Sequence, residues 1–293
     1  MKYSILVPVY NKEELLKKYF KYIENQTFKD YEVVVVDDCS NDNSYIYLYN
    51  IAQHHDNIKV LRNQKNLGIG MTRNVLLDNA QGEYIIFVDP DDYIEIDLLS
   101  EIDKENNDLD IIRFQNIIEP MTEEQNRIEK NKNKYRYSCE PTGIISGEEA
   151  LLRWHIGERK INTFPWTYAI KKELYNGVQY PNVCILEDFP VTPYLIAKAK
   201  KVTAIDFTGY HYKKYDNSIS SKKNDISFAI KKLNLFKEII ELTEKYINES
   251  GISDETKKTF ISDIHNRYII RKEKLEDILK NNTDTIPICK KKK

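Results

Sequence analysis

Carboxylates are grouped at two places in the sequence, each directly after an apolar run. Asp37 and Asp38 follow the segment YEVVVV, and Asp89, Asp91 and Asp92 follow EYIIFV. Like charges this close together repel one another at neutral pH, so a cation is expected to lie among them. Carboxylate oxygens are preferred ligands of Mg²⁺ and Mn²⁺, which keep some water and bridge to phosphates. The two clusters therefore predict a divalent ion that holds a phosphate-bearing ligand.

Each cluster also has a purely structural interpretation. Asp91 or Asp92 would cap a helix that begins near Tyr93, and Asp37 and Asp38 would open a turn. Taken singly, the two interpretations are evenly balanced. An ion site is favoured when both clusters lie on the same edge of one sheet.

Alternating strands and helices are predicted to position the clusters. Apolar, β-branched runs at 4–10 and 31–38 flank a segment with apolar residues at helical spacing, which indicates a β-α-β unit. The pattern continues through 57–63, 70–80 and 83–89. Strands that are apolar on both faces predict an α/β fold with a mostly parallel sheet covered by helices. Ligands bind beyond the carboxyl ends of such strands, where both clusters lie.

Composition excludes some classes of function. The chain has 293 residues and a formal net charge of −2, which gives no basic field for nucleic acid. Its four cysteines are far apart and are expected to be reduced thiols. The first apolar run is too short for a signal peptide, and no stretch approaches the ~20 apolar residues of a membrane span. We expect a cytoplasmic protein, soluble or peripheral to the membrane.

Four segments in order, SILVPVYN, NQTFKDYEVVVVDDCSNDNS, NLGIGMTRN and GEYIIFVDPDD, resemble the amino-terminal half of a family 2 glycosyltransferase. The resemblance covers residues 1 to about 105. It implies the Rossmann-like GT-A fold and an inverting transfer of a sugar from a nucleotide diphosphate, with UDP expected, to a hydroxyl group. It also implies that Mn²⁺ or Mg²⁺ holds the diphosphate.

The resemblance assigns roles on the donor side residue by residue. Asp38 corresponds to the acid that bonds the base edge, with Asp37 in support, and Asp91 corresponds to the metal ligand. Asp92 is expected either to support that site or to cap a helix. The remaining donor-side residues are Pro8, Tyr10, Asn11, Glu13, Asn66, Gly68, Arg73, Asn74 and Asp89.

The segment VCILEDFPVTPYLIAKA carries the expected acceptor-side acids. By resemblance, Asp188 is the base that takes the proton from the acceptor hydroxyl, and Glu187 orients it. The alternative is that both acids only cap the following helix. The resemblance also suggests that His211 contacts the metal or a phosphate and that Lys213 or Lys214 meets the diphosphate, against the alternative of an ordinary half-exposed histidine.

The predicted organisation is a GT-A domain at 1–223 and a helical extension at 224–293. The domain divides into a nucleotide-sugar half at 1–105 and an acceptor half at 106–223, in which 106–142 is expected to form a solvated loop or a small hairpin outside the core. The extension is expected to pack on the domain or on a second subunit. Docking on a membrane surface is the alternative, because Lys290 to Lys293 form a basic run.

Two rival functions differ in what they require. A sugar-nucleotide nucleotidyltransferase should carry a glycine-rich phosphate loop after the first strand, where PVYNKEE has no glycine. A catalytically inactive relative, binding sugar or acting as a scaffold, should lack the metal acid or the acidic pair, and both are present. We therefore expect a metal-dependent transferase that acts on a glycan or lipid-linked acceptor in surface polysaccharide synthesis.

Overall fold

The computed structural model describes residues 1–106, 108–120, 140–156, 163–183, 185–214 and 226–283. The strands are β1 (Tyr3–Val9), β2 (Tyr31–Asp37), β3 (Ile58–Arg62), β4 (Tyr84–Phe87), β5 (Tyr93–Ile94), β6 (Ile111–Pro120), β7 (Thr142–Ile145), β8 (Tyr168–Lys171) and β9 (Val202–Lys214). The helices are α1 (Glu13–Glu24), α2 (Ser44–Ala52), α3 (Ile69–Asn79), α4 (Leu98–Glu105), α5 (Gly147–His155), α6 (Val191–Lys198), α7 (Ile226–Glu249) and α8 (Asp254–Thr283).

These strands form one mixed sheet in the order β3-β2-β1-β4-β8-β6-β9-β5, with β7 also paired to β9. The first four are parallel, and residues at the centre of β1 pair with both neighbours, as Leu6 does with Val34 and Phe87. Their carboxyl ends therefore share one edge of the sheet. Beyond β4 the directions mix, because β8 runs antiparallel to β4 and β6.

The apolar strands separate two buried layers. One layer contains Leu16 and Phe20 of α1 with the apolar face of α4. The other contains Leu76 of α3 with the buried faces of α5 and α6. Burying the strands on both faces explains why β1 and β2 are apolar at nearly every position, and it fixes the carboxyl-end loops on a rigid base.

The carboxy-terminal helices belong to the second of these layers. Phe236 and Ile240 of α7 and Phe260 and Ile264 of α8 are buried in the same cluster as α3, α5 and α6. The structure thus shows the extension packed on the sheet domain. Lys290 to Lys293 lie outside the described residues. Across the described ranges, no helix is both long enough and apolar enough to cross a bilayer.

The predicted helix near Tyr93 is wrong. Tyr93 and Ile94 form the short strand β5, which pairs with Tyr210 and His211 of β9, and the next helix begins only at Leu98. The Tyr93 ring stacks between the Tyr19 ring at 5.7 Å and the His211 ring at 4.1 Å between centroids. Burial of this aromatic face favours the extended conformation, so neither Asp91 nor Asp92 caps a helix here.

Candidate active site

The loops that follow β1 and β2 are fastened to each other. The Asn11 amide donates to Ser40 Oγ at 2.9 Å, and the Asn41 amide donates to Asn11 Oδ1 at 2.8 Å. Glu13 accepts from the side chain of Asn43 at 3.0 Å. Asn11 has φ of 52°, a left-handed conformation that Asn tolerates better than most residues. Of the predicted donor residues, Asn11 and Glu13 thus shape the loops.

Pro8 and Tyr10 flank the end of the first strand. Pro8 is buried within β1, and the Tyr10 side chain, 43% exposed, lies just beyond it. Tyr10 therefore presents an aromatic face at the carboxyl edge of the sheet.

Asp37 and Asp38 have different surroundings. Asp38 is buried, and its carboxylate accepts from the amides of Leu67 at 2.8 Å and Gly68 at 2.9 Å and from the side chain of Asn63 at 2.8 Å. It therefore holds the loop before α3. Asp37 accepts through Oδ2 from the Ser40 amide and pairs there with Arg62 at 3.2 Å, while its buried Oδ1 has no hydrogen-bond partner among the described residues. A buried carboxylate oxygen without a donor is costly, which marks Asp37 as the acid with capacity for a ligand.

The segment from Asn66 to Asn74 is set by backbone geometry. Asn66 donates to the Asp38 carbonyl at 3.3 Å, and Gly68 has φ of 83°, where glycine is favoured. A Cβ on Gly70 would lie 2.2 Å from the Pro181 carbonyl oxygen. Asn74 exchanges two hydrogen bonds with the Tyr180 backbone, of 2.8 and 2.9 Å. Together these contacts pack the start of α3 against the segment at 180–188, which carries the acceptor-side acids.

Arg73 connects the donor and acceptor acids. Its buried guanidinium donates to Glu187 through Nη1, and Nη2 lies 3.6 Å from Asp89 Oδ1. The Phe87 and Tyr180 rings flank it at 5.6 and 5.5 Å. Burial opposes the charge, but the Glu187 and Asp89 carboxylates raise the pKa of Arg73. Arg73 therefore stays cationic and fixes the two acidic groups relative to each other.

Asp89 and Asp91 carry the negative charge on the donor side. Burial raises the pKa of Asp89 to about 6, and the Asp91 carboxylate adds to the rise while Arg73 opposes it. Asp91 Oδ2 lies 2.6 Å from Lys12 Nζ. An ammonium group thus already occupies one oxygen of the predicted metal ligand, so the position accepts a cation.

The donor set fits Mn²⁺ or Mg²⁺ held jointly with a ligand. Asp91 supplies the carboxylate oxygens such ions prefer, and Asp89 stands beside it. Within the part of the chain that the structure describes, no three His, Cys, Asp or Glu side chains come together as a complete ion site. An ion at Asp91 would complete its coordination with phosphate and water oxygens.

Asp92 has a structural role. Its buried carboxylate accepts from the Tyr210 hydroxyl at 2.7 Å and from the Lys213 amide at 2.7 Å, both on β9. Burial, with the neighbouring Asp91 and Asp89, raises its pKa. Asp92 therefore connects the loop at 89–92 to β9 by hydrogen bonds.

His211 does not fit the predicted metal contact. Its Nδ1 lies 2.7 Å from Glu119 and its Nε2 lies 2.7 Å from Glu95, so both ring nitrogens are engaged by carboxylates. Lys213, the predicted diphosphate contact, pairs with the same Glu119. The Lys214 side chain lies outside the described residues. Pairing of β5 with β9 explains the difference, because it buries His211 against Tyr93.

Asp188 is buried and lies at the start of α6. Thr163 Oγ1 donates to Asp188 Oδ2 at 3.1 Å. Burial and the adjacent Glu187 carboxylate raise the pKa of Asp188 to about 7. The Asp188 backbone carbonyl accepts from Thr192 at 3.0 Å, but no side chain caps α6. The helix-cap alternative therefore does not describe its carboxyl group. Leu186, just before the pair, has φ of 65°, a strained conformation for a bulky residue.

An aromatic stack borders Asp188. Trp166 stacks on Tyr210 at 4.3 Å and on Phe164 at 5.0 Å, and Phe164 is 38% exposed. Because Phe164 directly follows Thr163, one end of this stack reaches the surface close to Asp188. Thr167 is buried and donates to the Phe164 carbonyl at 3.2 Å, so it stabilises the same loop.

Two residues of this site escaped the sequence analysis. Lys12 follows Asn11 in the motif PVYNKEE. Its place in the loop after the first strand could have indicated that it lies close to the acidic cluster. Thr163 is 25 residues from Asp188 and nothing in the local pattern indicates their contact.

The chain is similar in sequence to known glycosyltransferases. The protein-family model described as glycosyl transferase family 2 matches residues 4–157. Glycosyltransferase GlyG of Streptococcus pneumoniae is 25% identical over 254 residues, which covers 84% of this chain and 79% of that protein. The minor teichoic acid biosynthesis protein GgaB of Bacillus subtilis is 28% identical over 226 residues, covering 75% of this chain. The chain spans only 24% of the length of GgaB.

The fold also matches solved structures. Crystal structures of Staphylococcus aureus TarS 1-349 in complex with UDP and with UDP-GlcNAc superpose with TM-scores of 0.70 and 0.71. Each covers 92% of this chain and 72% of that chain at 23% identity, a likeness of fold. In sequence, poly(ribitol-phosphate) beta-N-acetylglucosaminyltransferase TarS of S. aureus is 36% identical over 124 residues, covering 40% of this chain and 22% of that protein.

Proposed function

The chain belongs to glycosyl transferase family 2, and we propose that it transfers a sugar from a UDP-sugar to a hydroxyl group of a cell-surface glycan or lipid-linked acceptor, with inversion at the anomeric carbon. The cytoplasmic location expected from the sequence is part of this proposal.

The observation that carries the proposal is the bridge made by Arg73. One guanidinium contacts both Asp89, in the donor-side acidic cluster, and Glu187, whose neighbour is Asp188. A transferase requires a site for an anionic leaving group and, across the reacting carbon, a carboxylate that takes a proton. Arg73 holds the two groups of acids together in that relation.

The environment of Asp37 supports a contact with the nucleotide base. Within the described part of the chain its buried Oδ1 lacks a donor, whereas Asp38 is used by the loop at 63–68. The N–H of a pyrimidine would supply the missing donor in a charge-assisted hydrogen bond. We therefore assign the base contact to Asp37 and give Asp38 the supporting role, the reverse of the expectation from the sequence.

Asp91 and Asp89 are the residues proposed to hold Mn²⁺ or Mg²⁺. When bound, such an ion neutralises charge on the departing diphosphate. Lys12 Nζ lies 2.6 Å from Asp91 Oδ2, and it must leave this oxygen for an ion to bind there. Arg73 remains in place and adds fixed positive charge beside Asp89.

Asp188 is proposed to act as the base. The acceptor hydroxyl oxygen attacks the anomeric carbon, the bond from that carbon to the diphosphate oxygen breaks, and Asp188 takes the hydroxyl proton. A carboxyl group with a pKa of about 7 suits this step, because it is largely ionised just above neutral pH and still basic enough to accept a proton. Thr163 orients the carboxyl through Oδ2.

The names of relatives suggest the nature of the acceptor. They include a poly(ribitol-phosphate) N-acetylglucosaminyltransferase, a protein of minor teichoic acid biosynthesis and a glucosyltransferase acting on an undecaprenol-linked glycan. Surface polymers and their lipid-linked precursors are therefore the first acceptors to test.

Calorimetric titration of UDP, with manganese and with a chelator, tests the donor site. We expect tight binding only with manganese, because Asp89 and Asp91 otherwise face the diphosphate as like charge. Asp37→Asn should weaken UDP binding while retaining the manganese dependence. Asp38→Asn should weaken binding indirectly and also lower the melting temperature, because Asp38 supports the loop at 63–68.

Equal UDP affinity with manganese and with chelator would overturn the metal assignment. Parental UDP affinity in Asp37→Asn would return the base contact to Asp38. Tight UDP binding without sugar transfer to any of these acceptors would favour an inactive, sugar-binding relative.

A further inference from the structure

The carboxy-terminal helices reach the segment that carries Asp188. Phe236 of α7 packs edge-to-face on Phe189, the residue after Asp188, with 5.0 Å between ring centroids. The Arg271 guanidinium of α8 lies over the Phe236 ring, 4.4 Å from its centre. The extension therefore forms one side of the region that surrounds the base.

Two cations of these helices lie around Phe236, the residue that packs on Phe189 next to Asp188. Lys232 is one helical turn before Phe236 on α7, and Arg271 stacks on that same Phe236 from α8. Both residues are exposed to solvent. Among the described residues, neither makes an ion pair within 4.0 Å, whereas Arg267, one turn before Arg271, pairs with Asp263.

The pKa of Lys232 responds to the charges of both Arg271 and Asp188. Surrounding protein lowers the pKa of Lys232, Arg271 lowers it further, and the Asp188 carboxylate opposes the shift. The pKa of Arg271 is likewise lowered, by burial and then by Arg267. Like charges that repel one another in a partly desolvated place are stabilised when an anion binds between them.

We propose that Lys232 and Arg271 form an anion subsite that binds a phosphate group of the acceptor, next to the hydroxyl that Asp188 deprotonates. The proposal rests on the proposed function, because it places the acceptor at Asp188. The donor diphosphate is expected at Asp89 and Asp91, which lie across Arg73 from Glu187 and Asp188. The ligand class is thus a phosphodiester-linked polyol or sugar chain.

The test measures binding of a synthetic, four-unit glycerol phosphate oligomer to the full chain by calorimetry. The parental protein should bind it in a salt-dependent manner. Lys232→Gln combined with Arg271→Gln should weaken binding roughly tenfold, because each exposed charge pair contributes at most a few-fold. Lys237→Gln, which removes another exposed lysine of α7, should leave the affinity unchanged.

Arg271 also packs on Phe236, so Arg271→Lys and Lys232→Gln are made separately. Arg271→Lys keeps the charge and should retain most of the affinity, which separates charge from folding. UDP affinity with manganese should be parental in all these variants. A neutral oligosaccharide of the same length should bind them all equally.

Three results would overturn the subsite. They are unchanged oligomer affinity in the double variant, an equal loss in Lys237→Gln, and a charge dependence seen with phosphatidylglycerol vesicles but absent with the soluble oligomer. The last would assign the two cations to a membrane surface. Failure of UDP to bind any form of the protein would instead refute the proposed donor site while leaving the oligomer result to stand.

Discussion

At the scale of single residues, the carboxyl group of Asp188 has an environment that changes its charge near neutral pH. Burial and Glu187 raise its pKa to about 7, and the Thr163 hydroxyl opposes that rise. A base must be ionised to accept a proton. The ability of Asp188 to accept a proton therefore depends on the few groups that set its pKa.

We predict that the transfer rate, as kcat/KM, rises as pH increases toward about 7 and then levels. Asp188→Asn should reduce transfer by ~10²–10⁴, the usual contribution of a general base. UDP affinity should be unchanged, because the base acts on the acceptor side. Glu187→Gln should cost less in rate. The measurement is a transfer assay across pH beside a UDP titration.

Thr163→Val tests whether Thr163 acts by orienting the Asp188 carboxyl group or only by supporting the fold. It removes a hydrogen bond that favours the ionised carboxylate, so the pH profile should shift toward higher pH with a smaller loss of maximal rate. A parental transfer rate in Asp188→Asn would mean that the base lies elsewhere, with Glu187 the first residue to examine.

Lys12 is the second residue whose role the structure indicates. Its ammonium lies 2.6 Å from Asp91 Oδ2 and competes with any other cation there. We predict that Lys12→Met increases the affinity for Mn²⁺ severalfold in the absence of nucleotide, within the range that one partly exposed charge pair contributes. The readout is the free Mn²⁺ signal in electron paramagnetic resonance.

Lys18→Met serves as the control for Lys12, because Lys18 is an exposed lysine of α1, the helix that follows Lys12, and lies over the Tyr19 ring. Its affinity for Mn²⁺ should match that of the parent. Unchanged or weaker Mn²⁺ binding in Lys12→Met would show that Lys12 supports the Asp91 site instead of competing for it.

At the scale of elements, the parallel half of the sheet was predictable from local sequence. The expectation that 106–142 lies outside the core was wrong for β6, whose residues Ile111, Ile112 and Phe114 are buried in the sheet. Runs such as those of β1 and β2 are apolar at nearly every position, which identifies central strands from local sequence alone. The pairing of β6 with β9 joins residues about ninety positions apart and includes register shifts near Arg113 and Gln115. Local patterns carry no signal for such contacts, so the strand at Tyr93 and the partners of His211 were missed.

The contact between α3 and the segment at 180–188 sets the distance between donor and acceptor acids. A Cβ on Gly70 would lie 2.2 Å from the Pro181 carbonyl oxygen and 3.4 Å from Glu187 Cβ. We predict that Gly70→Ala destabilises the protein by about 1–3 kcal/mol, as overpacking usually does. Transfer should fall more than UDP binding, because the shift moves Glu187 and Asp188 away from Arg73.

Gly143→Ala provides the matched control, since a Cβ there meets nothing within 4 Å. Thermal melts and transfer assays of the two variants give the comparison. Equal melting temperatures and equal rates would show that the segment at 180–188 tolerates displacement and that Arg73 does not depend on this packing.

At the scale of the whole molecule, the extension and the sheet share one core. Phe236, Ile240, Phe260 and Ile264 lie in the cluster that includes Leu76 of α3 and Leu195 of α6. The helical spacing of the apolar residues predicted two amphipathic helices, but the sequence left their partner open. The choice depends on the shape of the surface left beside α5 and α6, which no local pattern encodes.

We predict that removing residues 225–293 makes the protein aggregate or change its oligomeric state, because the truncation exposes the surface that these four side chains cover. Removing only 284–293 should leave melting temperature and UDP affinity at parental values, since that cut leaves α7 and the described length of α8 intact. Size-exclusion chromatography with light scattering, followed by a thermal melt, separates the two cases. A monomeric 1–224 protein with the parental melting temperature would show that the sheet domain is stable without the helices, and the core shared by the two parts would then not contribute to folding.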